Sequence, residues 1–395
     1  MKKYNFLFEY VSYEELYEAY VICRKRKRRT ENALCFEIDD SVKLYNLLVE
    51  LNNLTYKVGK SIAFVVDKPV KREVFAADFR DRIIHHLFVN RMNDIFEKEF
   101  IDDSYSCRVG KGTLYGIRRC YKCMKDCSDN FTKDCYIFKG DLKGFFMSID
   151  KRRLYDVVYN LLLKKYEKGS KELEWMVWIL KLIIFNMPQR NCIKKQTDSH
   201  WKDLPKDKSL FYCDENHGIP IGNLTSQIFA NLLMSEFDHY IKDFLHIEYY
   251  GRYVDDFFII MKDKEKLKEI TRLIKIKLNS MGVLLHPKKH YLQYYSKGVQ
   301  FIGGIIKPNR TYISNRTKNN FYTSVRKFGM YAESNNLEID EIQYIFNSIN
   351  SYLGFLKHHK TYNIRHKALF SYWMYCLSKW MMPNKNYSKV EFLII

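Results

Sequence analysis

Residues 247–261 read IEYYGRYVDDFFIIM, and the fold turns on how they are read. Two adjacent carboxylates, Asp255 and Asp256, interrupt two runs of mostly aromatic and β-branched side chains. Such runs around a tight polar break predict a β-hairpin with the aspartates at its tip. Asp is a common turn residue, so turn chemistry accounts for the pair when the stretch is taken alone. The alternative is that the two carboxylates hold a divalent cation. The rest of the chain decides between them.

Composition narrows the partner. Of 395 residues, 66 are Lys or Arg and 46 are Asp or Glu, a net charge of +20. That balance points to a polyanion, either nucleic acid or an anionic membrane surface. The aromatic fraction of 16% suits stacking on bases, although most rings in any folded chain are core. A membrane role is disfavoured. The longest apolar run, Trp175 to Met187, is broken by Lys181 and falls short of the ~20 residues of a spanning helix. The N-terminal apolar patch meets Glu9 too early for a signal peptide. The expected setting is a reducing cytoplasm, with all ten cysteines as thiols.

Strand-like and helix-like segments interleave, which predicts an α+β chain. Residues 1 to about 60 read as helices, and RKRKRR over 24–29 as a solvated helix end or a phosphate contact. KSIAFVVDKPVKREVF predicts two strands around a turn at Pro69, then a helix from about Phe79. YIFKGD predicts a strand ending at Asp141, with Asp150 capping the helix after it. Ile228, Leu232, Phe237, Ile241 and Phe244 recur near helical spacing. A helix is expected from about Lys264 to Asn279, and a basic helical region from about Lys307. If the strand ending at Asp141 lies beside the 247–261 hairpin, three carboxylates converge. Such a cluster repels itself unless a cation neutralises it, and two Mg²⁺ ions about 3.5–4 Å apart are the usual solution in polymerases and nucleases.

GDLKGFFMSID, GIPIGNLTSQIFANL, YVDD, HPKKH and VQFIGG, in this order, resemble the palm and thumb-edge blocks of reverse transcriptases. Upstream, REVFAADFRDRIIHH and YSCRVGKGTLYGI resemble the fingers blocks. The resemblance runs from about Lys71 to Gly304. It implies a right-hand polymerase: a helical extension over 1–60, fingers and palm over 61–305, and a C-terminal helical thumb over 306–395. It also implies roles. Asp141 and Asp255 ligate two Mg²⁺ ions, for which Mn²⁺ can substitute, and Asp256 supports the site. Phe146 is a steric gate against a ribose 2′-OH, with a core phenylalanine as its plain alternative. Lys289 is a candidate general acid at the pyrophosphate. Arg72 and Arg82 hold the dNTP triphosphate, as the two-pronged guanidinium suits phosphate oxygens. Ile221, Gly222 and Gln227 line the nucleotide.

Many reverse transcriptases carry Pro-Gln-Gly where this chain has Pro220, Ile221 and Gly222. An apolar Ile in place of a hydrogen-bonding Gln predicts looser discrimination. IGNLTSQ, with WKDLP and SYLGFLKHHKTYNIR, looks most like the enzymes of diversity-generating retroelements. Those copy a template RNA into cDNA with errors opposite adenine, alongside a small basic pentameric accessory protein. A phage-defence-associated reverse transcriptase and a catalytically idle RNA-binding scaffold are the rival readings.

Two weaker signals stand apart. Cys120, Cys123, Cys127 and Cys135 invite zinc, yet the first three also fall on one helical face, as small packing residues would. The pairs His85–His86 and His358–His359 have no ligand partners at metal spacing.

Overall fold

Helix starts follow the capping residues that the sequence supplies. Asp78 accepts from the N–H of Arg80 at 3.0 Å and opens a helix at Phe79. Asp150 accepts from Arg152 and Arg153 at 2.8 and 2.9 Å and opens the next one at Lys151, as expected. Ser12, Ser170 and Ser314 cap three more.

The computed structural model describes residues 9–25, 30–67 and 71–393; the turn expected at Pro69 and most of the basic run 24–29 lie outside them. The helices are α1 (Tyr13–Arg24), α2 (Glu31–Glu37), α3 (Asp40–Asn52), α4 (Phe79–Glu99), α5 (Thr113–Cys127), α6 (Phe145–Ser148), α7 (Lys151–Leu162) and α8 (Lys171–Ile184). They continue as α9 (Asp198–Trp201), α10 (Leu224–His239), α11 (Lys264–Ser280), α12 (Asn315–Ser334), α13 (Ile339–Leu356), α14 (Tyr362–Leu369) and α15 (Tyr372–Tyr375). The strands are β1 (Ser61–Val66), β2 (Arg72–Ala76), β3 (Tyr136–Asp141), β4 (Cys192–Lys194), β5 (Tyr249–Tyr253) and β6 (Asp256–Met261). After them come β7 (Tyr291–Tyr294), β8 (Val299–Phe301), β9 (Gly304–Lys307), β10 (Arg310–Ile313), β11 (Met381–Pro383) and β12 (Val390–Phe392).

The chain divides into two compact units. The first holds the residues up to Val109 with Asp141–Glu248 and Ile270–His290. In it, β1 pairs antiparallel with β2 and parallel with β4. Helix α1 packs on α3 and α4, and α4 packs on α10. The guanidinium of Arg91 pairs with Glu15 at 2.7 Å and lies 4.7 Å from the centre of the Trp175 ring. Helix α8 buries Trp175, Met176, Ile179 and Leu180 and leaves Lys181 exposed. Helix α10 passes into a π-helical turn over Tyr240–Phe244. The wider turn shifts the helical phase, so Phe244 is 70% exposed instead of joining the face of Ile228 and Leu232.

The second unit holds Gly110–Gly140, Tyr249–Glu269 and the residues from Tyr291 on. Its main sheet has the order β5-β6-β3-β7, with α5 packed on β5 and β6. A second sheet, β10-β9-β8, continues past Lys307, so the C-terminal helices begin only at Asn315. Their core gathers Phe321, Val325, Ile349, Leu353, Leu369 and Leu377. The final β11–β12 hairpin adds strand pairing to a region expected to be helical. Among the described residues no helix is long and apolar enough to cross a membrane.

A buried acid gives the first unit a pH dependence. Asp81, 1% exposed, accepts from Tyr56 Oη at 2.6 Å and from the Gly59 N–H at 2.9 Å. Burial pushes its carboxyl up to about 6, against the opposing pull of those hydrogen bonds. The native state therefore holds the proton more tightly than the unfolded chain. The stability linked to this proton is complete below about pH 4 and is lost as pH rises through about 6, up to about 3 kcal/mol. The expected outcome is that wild-type stability, measured by urea unfolding, falls relative to Asp81→Asn between pH 4 and pH 7. A difference independent of pH would contradict this.

Candidate active site

The predicted hairpin forms. Strands β5 and β6 pair antiparallel with Tyr253 opposite Asp256, so Val254 and Asp255 make a two-residue turn. Val254 has φ +58°, a left-handed conformation rare for a β-branched residue. Such a conformation costs of order 1–3 kcal/mol and persists only where its surroundings enforce it. One enforcing group is Arg252, fully buried, whose Nη1 donates to the Val254 carbonyl at 3.0 Å. The strained turn therefore fixes the backbone from which Asp255 projects.

Asp256 starts β6 and is held from the neighbouring strand. Lys139 on β3 is 8% exposed, and its Nζ pairs with Asp256 Oδ1. A buried ammonium is costly without a counter-charge, and Asp256 supplies one. Strand β3 comes close because position 140 is glycine: a Cβ there would stand under 3.0 Å from the Phe257 ring. Lys139 shares a face of β3 with Asp141, two residues further on. Cys120 and Tyr291 both feel the charge of Asp256, but burial is the main cause that raises each of them.

In the first unit, the HPKKH block is tied to Asp141. The His286 N–H donates to the Asp141 carbonyl at 2.7 Å, Lys143 N–H donates to Leu284 O at 2.8 Å, and Leu142 bridges to Leu285. This docking leaves Lys289 Nζ 3.4 Å from Asp141 Oδ1. Asp141 and Lys289, each named separately from the sequence, thus lie side by side in this unit.

The predicted nucleotide-lining residues divide. The Phe75 N–H donates to Ile221 O at 2.8 Å, and the Ala77 N–H donates to the Asn223 side chain at 3.2 Å. Gly222 has φ +128°, and a Cβ on it would stand under 3.0 Å from Phe75 O and Val74 Cγ1. The glycine thus lets the GIPIGN segment lie against β2. Phe146 and Ile221, both half-buried, pack against one small cluster with Phe75, Met147 and Leu210. Arg72 is exposed on β2. Arg82 is half-buried; its Nε donates to Ala77 O at 2.8 Å, and burial lowers its pKa. Gln227 Oε1 accepts from the Cys107 thiol at 2.6 Å.

Among the described residues no group of three or more His, Cys, Asp or Glu side chains is arranged to hold a metal ion. Cys120, Cys123, Cys127 and Cys135 are buried thiols, with Cys127 and Cys135 hydrogen bonded to each other. All four thiols pack in the interior. Asp141 and Asp256 each hold an ammonium partner. Asp141 in the first unit and Asp255 and Asp256 in the second each offer carboxylate oxygens, the donor type that a hard divalent ion takes.

Sequence reasoning missed Arg252 and Lys139. Each is a cation inside an otherwise apolar strand, and Arg252 lies on the same face of β5 as Tyr250. That inward charge was the available signal. Removing one partner of a buried pair leaves the other uncompensated, at a cost of about 3 kcal/mol or more. Lys139→Met should therefore destabilise strongly, and adding Asp256→Asn should recover much of the loss. A double-mutant cycle in urea checks this, and strictly additive effects would contradict the pairing.

The sequence pattern described as reverse transcriptase (RNA-dependent DNA polymerase) matches residues 70–306. Protein YkfC of Escherichia coli K12 is 24% identical over 164 residues, covering 42% of this chain and 35% of that protein. Among solved structures, apo telomerase from Candida tropicalis is 12% identical with a TM-score of 0.49, covering 82% of this chain and 58% of that one. Telomerase from Candida albicans in complex with a fragment of telomeric RNA is 11% identical with a TM-score of 0.43, covering 81% and 59%. The chain thus spans about a third of its curated relative and under two thirds of these telomerases. The family pattern takes in β2, β3, the strained hairpin and the HPKKH block in one continuous match, and on that ground the chain belongs to the reverse transcriptase family.

Proposed function

We propose that this chain is an RNA-directed DNA polymerase of right-hand design that extends a primer with dNTPs on a template RNA. The observation that carries the reading is the braced turn: Arg252 and Lys139 hold Val254–Asp256 at the start of β6, whose neighbour in the sheet is β3. Asp141 and Asp255 would hold two divalent ions, Mg²⁺ or Mn²⁺, with Asp256 in support. When bound, those ions supply charge stabilisation for phosphoryl transfer.

The chain's own residues position and select. Lys289 Nζ stands 3.4 Å from Asp141 Oδ1 and is placed to serve the departing pyrophosphate as general acid. Arg72, exposed on β2, and Arg82 take phosphate oxygens. Phe146 presents half a ring above an apolar cluster and acts as a wall against a 2′-OH. Most of the rate comes from positioning and electrostatics. Association with RNA and the RNA–cDNA hybrid is through backbone and shape, and weakens with salt.

The finer assignment is synthesis within a diversity-generating retroelement, error-prone at template adenines and assisted by a small basic pentamer in the cytoplasm. Its support is Ile221, an apolar side chain packed with Phe146 and Phe75, so no side-chain amide is offered to the incoming nucleotide at that position.

Primer extension on poly(rA)/oligo(dT) tests the reading. Asp255→Asn should lose at least a hundredfold in rate and keep salt-sensitive RNA binding. In the same assay Phe146→Ala should admit ribonucleotides. Undiminished synthesis by Asp255→Asn would refute the metal assignment, and unchanged sugar selection would return Phe146 to a packing role.

A further inference from the structure

The second unit contains a groove that the polymerase chemistry does not use. It is a cavity of about 470 Å³ between α5, the β9–β10 turn and the segment after α13. That is the size of a small-molecule site. Its apolar lining is Leu114, Ile117 and Tyr121. Its cations are Arg118, Arg310, Lys357 and Lys360, contributed by three separate elements, and no carboxylate lines it. All four are exposed, so their charges are available to a ligand.

A second observation points the same way. His359 lines the groove and is 7% exposed. Its Nδ1 stands 3.3 Å from Thr311 Oγ1, while its Nε2 is buried with no hydrogen-bond partner among the described residues. A buried imidazole nitrogen without a partner is costly, and a ligand oxygen would satisfy it. Neighbouring His358 has its pKa lowered by burial and then by Lys357 and Arg118, which is consistent with a crowded positive site.

The ligand must be anionic and flat enough to lie on Leu114, Ile117 and Tyr121. Phosphate oxygens satisfy the guanidinium and ammonium groups, and a base stacks on the ring. We propose that this groove binds a nucleoside phosphate within a single-stranded segment of RNA, giving the enzyme a second hold on its template. The proposal rests on the reading of the chain as an RNA-templated polymerase.

The test is fluorescence anisotropy with a labelled single-stranded RNA 12-mer. Lys357→Ala/Lys360→Ala should weaken binding about tenfold at 0.1 M salt and flatten the salt slope by about 1.4, or about 0.7 for each lost phosphate contact. Lys266→Ala/Lys275→Ala, which removes the same charge from α11, should change binding less than threefold. Equal losses in the two pairs, or no loss in the first, would overturn the groove. A second arm follows the His359 Nε2 signal by ¹H–¹⁵N NMR while the 12-mer or AMP is added. A response to the 12-mer alone assigns a strand, a response to AMP assigns a free nucleotide as well, and no response to either overturns the site. Primer extension by the wild-type chain is read separately, so a failed groove and a failed polymerase reading give different results.

Discussion

Acidic side chains cannot be gathered at one end of a sheet without positive charge to offset their repulsion. In this chain the constraint shapes the backbone around the hairpin. Lys139 is buried in β3 and bound to Asp256, while Lys289 stands beside Asp141. The two pairs differ in kind. Lys139 is enclosed and committed, whereas Lys289 is half-exposed and able to leave.

The hairpin turn depends on the same economy of buried charge. Arg252 is enclosed next to the turn and donates to the Val254 carbonyl, which is part of a strained backbone. Gly140 lets the Phe257 ring pass directly over β3, so the strand carrying Lys139 reaches β6. Gly222 does the same for the GIPIGN segment against β2. Both glycines sit where another backbone or ring must approach closely, and both lie in the blocks that carry the family resemblance.

Much of this was legible in the sequence because it is local. The hairpin, the cap at Asp150 and the helix from Phe79 follow from period, turn chemistry and capping. What was not legible depends on long-range packing. Lys139 finds Asp256 across 117 positions of chain, and no local pattern names that partner. Gln227 accepts from Cys107, a thiol brought over from a distant segment that no local pattern names. Phe244 fell on the helical spacing but is turned outward by a π-helical turn that no periodicity announces.

The central proposal is that the carboxylates of Asp141 and Asp255 ligate divalent ions. Anomalous diffraction from crystals of the chain grown with Mn²⁺ and a non-hydrolysable dNTP analogue tests it most directly. The account predicts manganese peaks ligated by carboxylate oxygens of both Asp141 and Asp255. Manganese bound by neither, or by Asp255 with Asp141 still paired to Lys289, would contradict it.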